Sequence, residues 1–244
     1  MIRIRPALIA PVLLLASILA KAAVPASANS GTQVSEALFS NIQSFWSEQV
    51  SSLGGRYRPS KLSLFTTSLS GHCKLQAAVT GPFYCPVEET VYLDQSFLQL
   101  LDQRSRSHSD LALGYLIAHE VAHHIQNVIG TTALVEQARS RSTPQLASRT
   151  WTALELQADC YAGLWAHWSA ARGTLKLPAD VSSTLDAVAA VSQASQSHLT
   201  AGQQVLDPFT HGSAVQRLKW FRRGLDTGGF GDCDTFGADA AGTL

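Results

Sequence analysis

Apolar positions along this chain recur mostly at helical spacing, interrupted by two short runs of strand character. From Val34 to Ser52, Phe39, Ile42, Phe45 and Trp46 fall on one side of a helix. A strand is expected near Leu62 to Phe65 and a second over roughly Glu89 to Leu93, followed by a short helix. The next helix has readable ends. Ser109 is an N-cap type, Asp110 suits the positive end of the helix dipole, and Gly130 can stop the helix in a left-handed conformation. A polar link near Ser140 to Ser148 leads to an apolar helix from about Arg149 to Ala171. A long alanine-rich helix from about Pro178 to Gln203 follows, and then a last amphipathic segment, introduced at Asp207 and running through about Gly224. No internal repeat is visible. Helices dominate beside a small sheet, so the expected class is α+β, predominantly helical.

The helix between Ser109 and Gly130 is apolar enough to bury most of its circumference, yet it carries His119-Glu120-Val121-Ala122-His123. Positions four apart on a helix differ by only about 40° around the axis, so His119 and His123 share a face. That arrangement supplies two of the four ligands of a tetrahedral zinc ion. Glu120 lies roughly 100° from His119 and 60° from His123, near enough to act on a water as a general base without itself ligating. A pair of hydrogen-bonded core histidines is the plainer alternative, and a third ligand decides between the two.

The best third ligand downstream is Glu155, in Glu155-Leu156-Gln157-Ala158-Asp159-Cys160. Asp159 follows four residues later on the same face, so Glu155 can ligate while Asp159 accepts a hydrogen bond from the second nitrogen of a ligand histidine. Cys160 points about 140° away from Glu155 and is assigned to packing or a disulfide. His124 stands about 140° from His119, which rules it out as the third ligand on that face and leaves it to cap, pack or face water.

A third constellation runs from Asp207 to Arg217 and includes Thr210-His211-Gly212. Two readings stand for His211: hydrogen-bond donor to an oxyanion, or a turn or N-cap histidine. Arg217 orients a buried carboxylate such as Asp159, binds substrate, or forms a surface salt bridge.

Taken in order, HEVAHHIQ, ELQADCYAGLWA and THGSAVQR, preceded by GPFYCPVEETVYLDQSF and followed by CDTF, resemble the neutral zinc metallopeptidase family of bacteria. The resemblance covers about Phe45 to Phe236. It implies a zincin-like fold with a small sheet beside the His-Glu-x-x-His helix, one zinc per chain on His119, His123 and Glu155, and Glu120 as catalytic acid/base. More distantly the chain resembles peptidases with a Thr-His-Pro-x4-Arg segment after the metal motifs; Gly212 stands in place of that proline. A further departure lies in AVAAVSQASQ, residues 187 to 196, where the family is expected to carry a Gly-Asp-Asp element and no acidic pair stands.

At 244 residues and 45% hydrophobic content, the chain can bury a sizeable core as one domain, expected over residues 29–244. The formal net charge of +0 gives no electrostatic reason to expect nucleic acid or an anionic membrane as a partner. Arg3 and Arg5, an apolar stretch from Ala7 to Ala20, and Ala26-Ser27-Ala28 read as a secretory signal peptide over residues 1–28. The stretch falls short of the roughly 20 residues that span a bilayer, so no stable membrane span is expected after cleavage, with an N-terminal anchor as the minor alternative. Export to a periplasmic or extracellular compartment permits disulfides. Four cysteines allow three full pairings, of which Cys73 with Cys85 and Cys160 with Cys233 is preferred.

The expected function is therefore a secreted zinc peptidase, acting on a peptide or protein substrate through an activated water. Val91-Tyr92-Leu93 is nominated as the sheet edge that an extended substrate would join. Two alternatives are a catalytically inactive, zinc-stabilised envelope or binding protein of the same fold, and a zinc amidase acting on cell-wall peptides. Glu120 separates catalysis from a merely structural metal site, which has no use for a general base.

Overall fold

The computed structural model describes residues 29–66, 68–74, 78–105, 109–197, 203–205 and 212–244. The expected signal peptide and His211 lie outside the described residues.

The elements run α1 (Asn29–Ser52), β1 (Lys61–Phe65), β2 (Ala78–Thr80), β3 (Phe83–Cys85), β4 (Thr90–Asp94), α2 (Gln95–Ser105), α3 (Ser109–Val128) and α4 (Thr131–Ser140). After them come α5 (Pro144–Ala171), α6 (Ser182–Ser197), β5 (Gln203–Val205), α7 (Ala214–Thr227), a 3-10 turn (Phe230–Cys233) and α8 (Thr235–Ala240). The architecture is α+β and mostly helical. The apolar stripes explain the packing: Ile42, Phe45 and Trp46 of α1 meet Leu116 and Ala122 of α3 and Trp165 of α5 in one buried core. Among the described residues, no helix is long and apolar enough to cross a membrane.

Gly130, with φ at 87°, breaks the chain between α3 and α4 in the left-handed conformation expected of it. The polar link expected from Ser140 to Ser148 is shorter. Thr143 caps α5, its side chain accepting from the backbone N–H of Leu146, and Pro144 occupies the first turn, where its missing N–H is harmless. The alanine-rich helix expected from Pro178 to Gln203 is also corrected. It starts at Ser182, where Asp180 Oδ1 accepts from Ser182 N–H at 2.9 Å and turns the chain. Gln203 stands instead in β5, paired in parallel with Ala78 of β2. Helix propensity does not reveal that pairing, because the partner strand lies far away in the chain.

The sheet corrects one functional expectation. Val91, Tyr92 and Leu93 are not at an edge: β4 is the central strand, parallel to β1 on one side and antiparallel to β3 on the other. All of β4 is buried, which is why its sequence is nearly continuous in apolar residues rather than alternating. Among the described residues, the sheet edge beside α3 belongs to β3. Cys73 and Cys85, 12 residues apart, are joined by a disulfide that ties the loop before β3 to that strand.

Two glycines set the register of α7. A Cβ at Gly163 of α5 would stand 2.1 Å from the carbonyl oxygen of Phe221, and one at Gly224 of α7 would stand 2.0 Å from that of Cys160. The helix backbones touch there. Arg217, about two turns before Gly224, is thereby brought level with Asp159, about one turn before Gly163.

Candidate metal centre

Helix α3 places His119 and His123 one turn apart, facing α5. Helix α5 in turn presents Glu155 and Asp159, also one turn apart, so the two pairs meet where the helices cross. His119 Nε2 lies 3.3 Å from Glu155 Oε2 and 3.1 Å from His123 Nε2, and His123 Nε2 is 3.4 Å from the same carboxylate oxygen. A tetrahedral ion with bonds of about 2.0–2.1 Å separates its ligands by about 3.3–3.4 Å, so the three donor atoms already stand at the edges of such a shell. Two imidazole nitrogens and one carboxylate oxygen suit zinc, and the residues present fit the ion.

Beyond these atoms lies a buried charged cluster. Asp159 Oδ1 accepts from Tyr115 OH at 2.6 Å, from Arg217 Nη2 at 2.7 Å and from His119 Nδ1 at 3.0 Å. A carboxylate accepting three hydrogen bonds is ionised, so His119 Nδ1 donates to Asp159 and Nε2 is the nitrogen that faces Glu155 and His123. Burial opposes that ionisation, but the Arg217 guanidinium and the His119 hydrogen bond hold Asp159 below the usual carboxylate range. Glu155 is held low in the same manner: burial would raise it, and the neighbouring imidazoles of His123 and His119 outweigh that. Burial would lower His119, yet hydrogen bonds to Asp159 and Glu155 push it up to about 9.

Glu120 follows His119 directly and is 1% exposed. The Arg217 guanidinium sits on Asp159 in a pair whose side chains are 6% and 0% exposed, which corresponds to the carboxylate-orienting alternative rather than a surface salt bridge. His211 lies outside the described residues, and the helix expected after it begins at Ala214 behind a capping box of Ser213 and Gln216. Cys160 is paired with Cys233, 73 residues away.

His124 takes the packing alternative that the sequence left open for it, while Tyr84, Asn127 and Gln126 near the site were not singled out from the sequence. His124 packs: its Nε2 donates to the carbonyl of Arg58 at 2.7 Å, and its Nδ1 faces Tyr84 OH of β3 at 3.0 Å. Burial holds it below the usual histidine range. Asn127 Nδ2 donates to the same hydroxyl at 3.0 Å, so two side chains of α3 grip the edge strand. Tyr115, one turn before His119, and Gln126, about one turn after His123, both contact the histidine ring nearest them or its partner. The available signal was polar residues on the buried face of an otherwise apolar helix.

The chain matches the family model described as "Putative neutral zinc metallopeptidase" over residues 16–236. It is 36% identical over 200 residues to the uncharacterized protein YpfJ of Escherichia coli strain K12, a match covering 82% of this chain and 69% of that protein. It is 37% identical over 199 residues to the uncharacterized protein Rv2575 of Mycobacterium tuberculosis strain H37Rv, covering 76% of this chain and 65% of that protein. No solved structure matches. With a His-His-Glu cluster where the two motif-bearing helices cross, and a family match spanning most of its length, the chain belongs to the neutral zinc metallopeptidase family.

Proposed function

We propose that this protein is an exported zinc peptidase in which His119, His123 and Glu155 hold the ion and Glu120 handles the proton. The observation that carries this reading is the convergence of those three donor atoms, 3.1–3.4 Å apart, with Glu120 one residue beyond the first. Zinc bound there would supply Lewis acidity, making water more acidic and polarising a peptide carbonyl. Asp159, fixed by Tyr115 and Arg217, keeps His119 in one tautomer and one orientation. A Glu120 carboxylate oxygen takes up the proton of the attacking water and returns it to the nitrogen of the leaving amine. His211 is assigned the hydrogen bond to the developing oxyanion from its place in the sequence.

An extended substrate is assigned to the edge of β3. Among the described residues, that strand pairs only with β4. Tyr84, held by His124 and Asn127, fixes β3 against the metal helix, so a peptide added to the strand runs alongside the catalytic residues. Export is supported by the two disulfides and by the leader pattern of the sequence.

The test compares the chain from Asn29 onward with its Glu120→Gln variant, measuring zinc content and hydrolysis of an unfolded protein mixture at neutral pH. Both should bind one zinc, and only the parent should cleave, with a loss of about a hundredfold or more in the variant. Zinc in both with cleavage by neither would favour the inactive, zinc-stabilised reading. No zinc in either would remove the metal assignment.

A further inference from the structure

His119 has a conspicuous partner in Asp159; the partner of His123 is a neutral glutamine. Gln126, fully buried on α3, places Oε1 2.8 Å from His123 Nδ1 and Nε2 2.8 Å from the carbonyl oxygen of Leu154. The orientation of this amide is determined by its surroundings. A backbone carbonyl only accepts, so the group facing Leu154 is the –NH2 and the group facing His123 is the oxygen. His123 Nδ1 must then donate, and its Nε2 is left with a lone pair directed at His119 and Glu155.

A second amide repeats the logic. Gln126 Nε2 also donates to Gln157 Oε1 at 3.1 Å, and Gln157 Nε2 donates to the carbonyl oxygen of Cys233 at 3.2 Å. Both ends of this chain of amides thus rest on backbone carbonyls, Leu154 on α5 and Cys233 in the 3-10 turn. The second is held to α5 by the Cys160–Cys233 disulfide. Neither amide can flip without setting oxygen against oxygen in a buried place, at the cost of unsatisfied groups.

We propose that Gln126, seated through Gln157 on the carbonyl of Cys233, is the positioning residue that fixes the tautomer of His123 and keeps its Nε2 open to the metal. The proposal rests on His119, His123 and Glu155 being the ligands, and its test separates the two claims. Zinc affinity is measured by chelator competition on the chain from Asn29 onward, on Gln126→Met, which fills the space without an acceptor, and on Gln126→Glu. A neutral, protonated glutamic acid can accept from His123 through its carbonyl and donate to Leu154 through its hydroxyl.

Gln126→Met should bind zinc about 10–100-fold more weakly, the usual loss when the outer partner of a ligand histidine is removed. Gln126→Glu should recover most of that loss. Should Gln126→Met fail to fold by circular dichroism, Gln157→Met, which does not touch His123, decides the matter with an expected several-fold weakening. Zinc affinity within twofold of the parent in a folded Gln126→Met, or equal losses in the Met and Glu variants, would overturn the proposal. So would parental affinity in Gln157→Met where that variant is the one that decides. A parent that binds no zinc would overturn the ligand assignment beneath it.

Discussion

The two histidines of the metal centre are held by opposite means. On one flank His119 donates to Asp159, an ionised carboxylate shared with Arg217 and Tyr115. On the other, His123 donates to Gln126, and the hydrogen bonds continue through neutral amides to backbone carbonyls. The charged flank is the stronger hold on its ring, because hydrogen bonds to ionised groups contribute more than neutral ones, but it depends on every member being present. The neutral flank has no charge to leave stranded and no group whose protonation would break it. Its weakness is mechanical, since it ends on a carbonyl held by a disulfide.

The largest effect should come from stranding a charge. Asp159→Ala leaves the Arg217 guanidinium buried without its counter-ion and should cost about 3–5 kcal/mol in denaturant unfolding of the metal-free protein. Gln126→Met leaves only neutral groups unsatisfied, at about 1–3 kcal/mol. Equal losses in the two variants would abolish the distinction between the flanks.

Disulfide removal probes the mechanical side. Replacing Cys160 and Cys233 by alanine opens a closure of 73 residues, against 12 for Cys73 and Cys85, and loop-closure entropy puts the costs at about 4 and about 3 kcal/mol. The sharper contrast is in zinc affinity, which should fall on loss of the Cys160–Cys233 bond and hold steady on loss of the other. The reverse pattern would detach the amide relay from the metal centre.

The smallest effect is in pH. Asp159 is held below its ordinary 3.8, so the stability it contributes is full above that value and is lost as pH falls through its folded pKa. His119, raised from 6.5 to about 9, contributes stability that is full below 6.5 and lost as pH rises through about 9. The metal-free protein should therefore be most stable between these limits. Asp159→Asn should flatten both slopes and Gln126→Met neither, as read from unfolding free energies across pH.

The helical skeleton was legible because its signals are local. Apolar spacing marked α1, α3 and α5, and Gly130 marked a break between helices. The i,i+4 pairs His119 with His123 and Glu155 with Asp159 put chemistry on single faces before any packing was known. The start of α6 was missed because Asp180 ends the turn before it through its side chain, and β5 was missed because it exists only by pairing with β2. Val91 to Leu93 looked like a substrate edge for a related reason: a strand's own residues do not say whether both its neighbours are occupied.

What the sequence determined alone was thus the inventory and spacing of donors along each helix, a consequence of the fixed geometry of 3.6 residues per turn. What only the tertiary structure decided was which donors meet. Gly163 and Gly224 let α5 and α7 touch, and that contact brings Arg217 to Asp159. The crossing of α3 and α5 puts Gln126 against Leu154 and Gln157, where two backbone carbonyls dictate which way each amide points. Such orientations depend on acceptors far away in the chain, and no local pattern of residues contains them.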